Sequence, residues 1–279
     1  MGEVAFYKDR FVGIEEYVVP IQERGHQFGD GVYEVIRVYG GEPFLMEEHF
    51  DRLERSAAAI DLRLPYRREK LKAIVKEALE RSEIKEAEIY FQITRGISPR
   101  QHHYPECDAV FALTVRQAKT LDSIKREEGV PVTIAEDDRW LNCYIKSLNL
   151  LPNVMAKQKA MAKGCAEAIY QRDGIITEGS SSNAFAVKDG VIYTHPATRG
   201  ILHGITRATV IELAKEMDIA VKEEKFDTEF FLNADEVFFT STSVEVMPVS
   251  EADGTRFPET RPVTLKLSDA FKKLYIKGQ

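Results

Sequence analysis

The feature that most constrains this chain is the order in which two hydrophobic periods follow one another. In "GVYEVIRVY", residues 31–39, Val32, Glu34, Ile36 and Val38 fall on one side of a strand, and Tyr33, Val35, Arg37 and Tyr39 on the other. Gly40-Gly41 then supplies a hairpin turn. The period changes to that of a helix in "EEHFDRLERSAAAIDL", with acids in the first turn and a stripe of Phe50, Leu53, Ala57 and Ile60. "REKLKAIVKEALERS" repeats the helical pattern through Leu71, Ile74, Val75, Ala78 and Leu79. Two further strands, "AEIYFQITRG" and "DAVFALTVRQ", are joined by "ISPRQHHYPEC". Strands, then helices, then strands predict an α+β domain over residues 1–118.

The polar stretch 119–130 reads as an interdomain linker, and 131–279 as a second, larger, β-rich α+β domain. Within that domain the pattern predicts a strand at "VPVTIAE", a helix opened by Pro152, a strand near 166–171 and a hairpin turning at Asp189-Gly190. A helix from about Thr206, the strand "EVFFTSTS" and a C-terminal helix complete it. A chain of 279 residues with a hydrophobic fraction of 44% suits two such domains. The net charge of -7 argues against nucleic-acid binding, so the positive charge needed to hold a small anion must be local. Cys107, Cys143 and Cys165 are too widely spaced for a zinc site or a disulfide framework, which predicts a reducing, cytoplasmic setting. The charged N-terminus does not read as a signal peptide, and no apolar run approaches the ~20 residues that span a bilayer.

Lys146 lies in an apolar segment, "RWLNCYIKSLNLLPN". Such a lysine either lays its stem on apolar surface with its amine in water, or holds an amine near neutrality that can attack a carbonyl. Three later segments bear on the choice. "TEGSSSN" offers Glu178 as a partner for a ring nitrogen, with hydroxyl and backbone N–H donors behind it. "GILHGITR" places glycines and Thr206 before a helical pattern, where free N–H groups favour an anion. "TSTS", 240–243, ends an apolar strand with four hydroxyl residues. Each also has an ordinary reading as a turn or a cap. Together they supply a carbonyl trap, a ring-nitrogen partner and a phosphate site, the set that pyridoxal 5′-phosphate requires.

The segments "RGHQFGDGVYEVIRVY", "EHFDRL", "YFQITRGISPRQHHYPE", "RWLNCYIKSLNLLPNVMAKQKA", "TEGSSSN", "GITR" and "FTSTS" resemble the fold-type IV pyridoxal-phosphate enzymes, and among them the D-amino-acid transaminases. This resemblance implies the two-domain α+β fold of that class. It implies that Lys146 is the Schiff-base lysine and proton carrier and that Glu178 partners the pyridine nitrogen. Arg52 would contact the phosphate, with Ile205, Thr206, Ser241 and Thr242 completing its cup. Leu202 would pack on the cofactor ring, with Ser181 and Ser182 near it. Arg100, His102 and Tyr33 would trap the substrate α-carboxylate, the Arg-x-His loop reaching in from the partner of a homodimer. A carboxylate trap of that kind points to D-amino acids and 2-oxo acids as substrates. Arg37 shares the face of Tyr33; it either pairs with a carboxylate or lines the pocket and favours a substrate with a second carboxylate. The same cofactor residues would also serve an L-branched-chain transaminase or a lyase of the aminodeoxychorismate lyase type. A vitamin-binding protein without catalysis and a serine hydrolase are weaker readings, the latter because "GSSSN" lacks the G-x-S-x-G elbow.

Overall fold

A computed structural model describes residues 2–120 and 122–276. The chain divides into two compact units, Met1–Lys119 with Ile145–Asn149, and Thr120–Tyr144 with Leu150–Gln279.

The first unit holds β1 (Val4–Tyr7), β2 (Arg10–Val12), α1 (Arg24–Phe28), β3 (Gly31–Tyr39), β4 (Glu42–Pro43), α2 (Met46–Ala58), α3 (Arg68–Ser82), β5 (Ala87–Thr94) and β6 (Val110–Gln117). Its strands form an antiparallel sheet in the order β2-β1-β6-β5-β3-β4. The turn from β3 to β4 needs φ of 59° and 96° at Gly40 and Gly41, a region glycine enters without a Cβ penalty. Val32, Ile36 and Val38 are fully buried, as are Phe50 and Leu53 of α2 and Leu71 of α3. The apolar side of β3 and the two helical stripes therefore close on one core, with Phe50 stacked on Phe91 of β5. Glu34 shares that buried side, which the site below explains.

The second unit holds α4 (Ser123–Glu128), β7 (Val130–Glu136), α5 (Leu151–Ala162), β8 (Glu167–Arg172), β9 (Ile175–Gly179), β10 (Asn183–Lys188), β11 (Val191–Thr194), α6 (Ile205–Glu216), β12 (Val221–Glu223), α7 (Thr228–Leu232), β13 (Glu236–Ser241), β14 (Glu245–Ala252), β15 (Thr255–Arg256) and α8 (Pro262–Ile276). The described strands make a mixed sheet, β12-β11-β10-β13-β14-β7-β8-β9, with β15 paired to β14. Val132, Ile169, Phe231, Val237 and Val249 are buried in one apolar cluster against it.

The boundaries differ from the sequence reading at two places. The polar stretch 119–130 contains α4, whose Arg126 is buried and donates to Glu245 at 2.5 Å, so it clusters with the second unit. Residues 145–149 cluster with the first unit because their backbone pairs with β3: Leu148 N donates to Gly31 O and Tyr33 N to Lys146 O, both at 3.0 Å. Helix α6 starts at Ile205 with Gly204 as its N-cap; Thr206 makes no side-chain cap. Among the described residues no helix is long and apolar enough to cross a membrane.

Candidate active site

In the first unit, pairing with the start of β3 fixes Lys146. Its N–H donates to Ser56 Oγ of α2 at 3.2 Å, and its carbonyl accepts from Tyr33. The side chain is half-buried rather than sealed from water, with Nζ over the Tyr33 ring, 4.2 Å from its centroid. That ring in turn meets Tyr90 at 5.7 Å. Tyr33, expected at the substrate carboxylate, lies with its ring against the lysine amine. A ring face holds an ammonium group without a carboxylate that would fix it as a permanent ion pair.

Arg52, on α2, is buried, and its Nε and Nη2 each donate to Glu34 at 2.7 Å. His49 Nδ1 lies 2.7 Å from the same carboxylate. Burial pushes the Glu34 carboxyl up, but the charge and hydrogen bonds of Arg52 and His49 prevail and bring it down to about 2. Glu34 is thus a fixed anion that orients Arg52. A carboxylate on the apolar side of a strand was its signal in the sequence, since a buried charge needs a partner. Arg37 is buried too. Its Nη2 lies 3.4 Å from Glu86, its Nη1 3.4 Å from the Lys119 carbonyl, and among the described residues its Nε has no partner. Arg100 and His102 lie together on the loop between β5 and β6, both exposed.

In the second unit, Glu178 is the last residue but one of β9 and is 3% exposed. Its Oε1 accepts from Arg139 Nη1 at 2.7 Å, and its Oε2 accepts from Asn183 Nδ2 at 3.1 Å and from Leu202 N at 3.0 Å. Burial raises this carboxyl to about 7 against the opposing pull of Arg139. Asp137 holds Arg139 in turn, accepting its Nε at 2.8 Å and its Nη2 at 2.9 Å, and Thr177 donates to the same carboxylate. Arg139, Asp137 and Asn183 were not singled out from sequence; only Arg139 and Asn183 lie within segments that carried the resemblance.

Asn183 ties three predicted segments together. It donates to Glu178 and to the Leu202 carbonyl, and its backbone pairs with Thr240 of β13. A Cβ on Gly204 would stand 2.0 Å from Asn183 Oδ1, so a side chain there would displace the Asn183 amide. "TEGSSSN", "GILHGITR" and the head of "TSTS" therefore converge. The serines of the first segment behave differently from expectation. Ser180, Ser181 and Ser182 all donate their hydroxyls to the buried carboxylate of Glu167, so those hydroxyls are not directed at a phosphate. Their role in this geometry is to fix the turn that follows Glu178. Ser241 Oγ accepts from Val244 N at 3.3 Å, closing the turn that contains Thr242.

The second unit fits a phosphorylated pyridine. The α6 N-terminus has no side-chain cap, which leaves donors for an anion. Thr240 Oγ1 is buried without a hydrogen-bond partner among the described residues. A buried carboxylate held by three donors and poised near neutrality suits a ring nitrogen with which it can share a proton.

The chain is similar to known proteins along nearly its whole length. The amino-transferase class IV family model matches residues 31–252. The D-alanine aminotransferase of Staphylococcus epidermidis is 44% identical over 278 residues, covering 98% of each chain. That of Bacillus licheniformis is 44% identical over 253 residues, 89% of this chain and 88% of its own. Among solved structures, a branched-chain aminotransferase from Thermoproteus uzoniensis with norvaline superposes with a TM-score of 0.91 at 30% identity, covering 99% of this chain and 96% of its own. A branched-chain amino acid aminotransferase of T.th., solved with pyridoxamine 5′-phosphate, gives 0.90 at 26% identity, covering 99% and 94%. The chain belongs to the class IV aminotransferases. It has the α+β fold of fold type IV, and it is a pyridoxal-phosphate-dependent enzyme.

Proposed function

We propose that this enzyme moves the amino group of a D-amino acid, of the D-alanine or D-glutamate kind, to a 2-oxo acid. The observation that carries the reading is 44% identity to D-alanine aminotransferases over nearly all of both chains, joined to an Arg100–His102 pair presented on one loop. Pyridoxal phosphate, when bound, supplies an aldehyde to receive the amino group and a ring to withdraw charge from the α-carbon. Arg52, the N–H groups of Ile205 and Thr206, and Ser241 and Thr242 are assigned to its phosphate. Glu178 is assigned to the ring nitrogen, where its carboxylate keeps a proton in place. Leu202 offers its side chain to the ring, while its N–H holds Glu178. Lys146 Nζ, half-buried over Tyr33, takes the α-proton and returns it on the other side of the reaction.

Arg100 and His102, supplied by the partner subunit of a homodimer, bind the α-carboxylate together with Tyr33. The exposed apolar side chains of α5, Leu151 at 69%, Val154 at 59% and Met155 at 49%, support an interface of that kind. Arg37 is buried and paired with Glu86 at 3.4 Å, and its unpartnered Nε is what supports its assignment to a second substrate carboxylate. An L-branched-chain specificity is the competing reading, since the similar solved structures are branched-chain aminotransferases, at 30% and 26% identity. Amino transfer to 2-oxoglutarate from D-alanine and from L-leucine separates them. Turnover of the D-donor with negligible use of the L-donor is expected; the reverse preference would refute the assignment.

A further inference from the structure

Arg100 and His102 raise a physical problem. Two long polar side chains on an exposed loop lose rotamer freedom when they close on a carboxylate, and that loss weakens binding. Among the described residues neither has an ion-pair or side-chain hydrogen-bond partner. Both, however, meet the ring of Phe28. The Arg100 guanidinium carbon lies 4.6 Å from the ring centroid, and the His102 ring lies 5.7 Å from it at 59°. An aromatic face can orient a guanidinium while leaving its N–H donors free, which an ion pair cannot do.

Phe28 is itself fixed. It is the last residue of α1, and Gly29 closes the helix in the left-handed region at φ 64°, its N–H bonding to the carbonyls of Arg24 and Gly25. Arg24 is 2% exposed, is held by Asp30 at 2.7 Å, and packs on the same ring at 4.7 Å. Its Nη1 donates to the Gln101 carbonyl at 2.7 Å. The loop is therefore pinned by its backbone between the two polar residues, while the side chains on either side of that point rest on one ring.

We infer that Phe28 is a positioning residue for substrate binding: its ring pre-orients Arg100 and His102 for the α-carboxylate. This rests on the reading of those two residues as the carboxylate trap. The test compares Phe28→Leu, Phe28→Tyr and Arg100→Ala in the cofactor-loaded enzyme. For Phe28→Leu, KM for D-alanine and for 2-oxoglutarate should rise roughly two- to fivefold, the size of one exposed cation–ring contact. Its kcat, visible spectrum and Tm should stay near those of the parent. The calorimetric Kd of propionate, a non-reacting carboxylate, should weaken by the same factor. Phe28→Tyr, which keeps the ring, should restore KM and Kd. If Phe28→Leu leaves both constants unchanged while Arg100→Ala raises them, the inference fails and the trap stands. If Arg100→Ala changes neither, the trap reading fails and takes this inference with it. A fall in kcat and Tm together, without rescue by tyrosine, would make Phe28 a structural residue only and overturn the proposal.

Discussion

Glu178 turns burial into a dependence on pH. Its folded carboxyl titrates at about 7, raised from 4.5 chiefly by desolvation. A group whose folded pKa exceeds its unfolded one gives stability that is complete below the lower value and is lost as pH rises through the higher. The cofactor-free protein is therefore expected to lose unfolding free energy between about pH 4.5 and 7, and Glu178→Gln to flatten that limb. Denaturant titrations of both proteins across this range check the sign; parallel profiles would mean that Glu178 is not raised. Lys146 makes the complementary case. Its amine rests on a ring and has no ion pair among the described residues, so Lys146→Ala should barely move Tm. Transamination should fall about a thousandfold or more, and the part of the visible absorbance that depends on the lysine–cofactor bond should be lost. Unchanged turnover would remove Lys146 from the chemistry. Lys146 stood out in the sequence as a cation in an apolar segment, whereas Glu178 is ordinary in the polar "TEGSSSN" and was reached through the set of segments and the resemblance. Arg139 and Asn183 were not, since an arginine or an asparagine is ordinary in a loop or a strand end, and their partners become neighbours only on folding. Glu34 is intermediate: the alternation of β3 placed it on the buried side, but only the structure supplies Arg52 and His49 as the reason.

Elements position these residues through close backbone approach, and glycines mark where. Gly31 begins β3 where Leu148 pairs beside it. A Cβ there would stand 2.5 Å from the Ile93 carbonyl and 2.9 Å from Leu148 Cδ1. The carbonyl belongs to β5 and cannot yield, so the added methyl must push on the segment that carries Lys146. Gly31→Ala is expected to cost about 1–3 kcal/mol and to lower kcat with it. Gly200→Ala is the control, because its Cβ would meet only Thr198 Oγ1 at 3.6 Å. Thermal unfolding and turnover of both variants decide the matter; equal behaviour would show that the approach at Gly31 is relaxed at little cost. At this scale the sequence was informative where periodicity had room to repeat. The 13-residue α2 and the 15-residue α3 lie where their stripes put them, except that α2 ends at Ala58, short of Ile60. The five-residue α1 and α7 and the six-residue α4 are too short to show a helical period, and none was anticipated. The pairing of 146–148 with 31–33 was hidden for a different reason: β3 already had a hairpin partner in the sequence, and nothing in its pattern announced a second one.

Across the whole molecule, the net charge of -7 leaves substrate anions to be gathered by a few fixed cations. Arg52 and Arg100 both lie in the first unit, whereas Glu178 and the α6 N-terminus lie in the second. If Arg100 serves the active site of its own chain, two inactive variants cannot help each other. If it serves the partner's, they can. Take Lys146→Ala and Arg100→Ala, each poorly active alone, unfold them together in equal amounts and refold. Random pairing makes half of the dimers mixed, and each mixed dimer has one site with an intact lysine and an intact arginine, so roughly a quarter of the wild-type activity should return. A site built within one chain returns none, because every site then lacks one residue or the other. Recovery to that level, together with a dimer-sized species on a sizing column, establishes the shared site; failure to recover, with the mixed dimer present, would place Arg100 in its own chain's site and leave the apolar side of α5 without the role assigned to it.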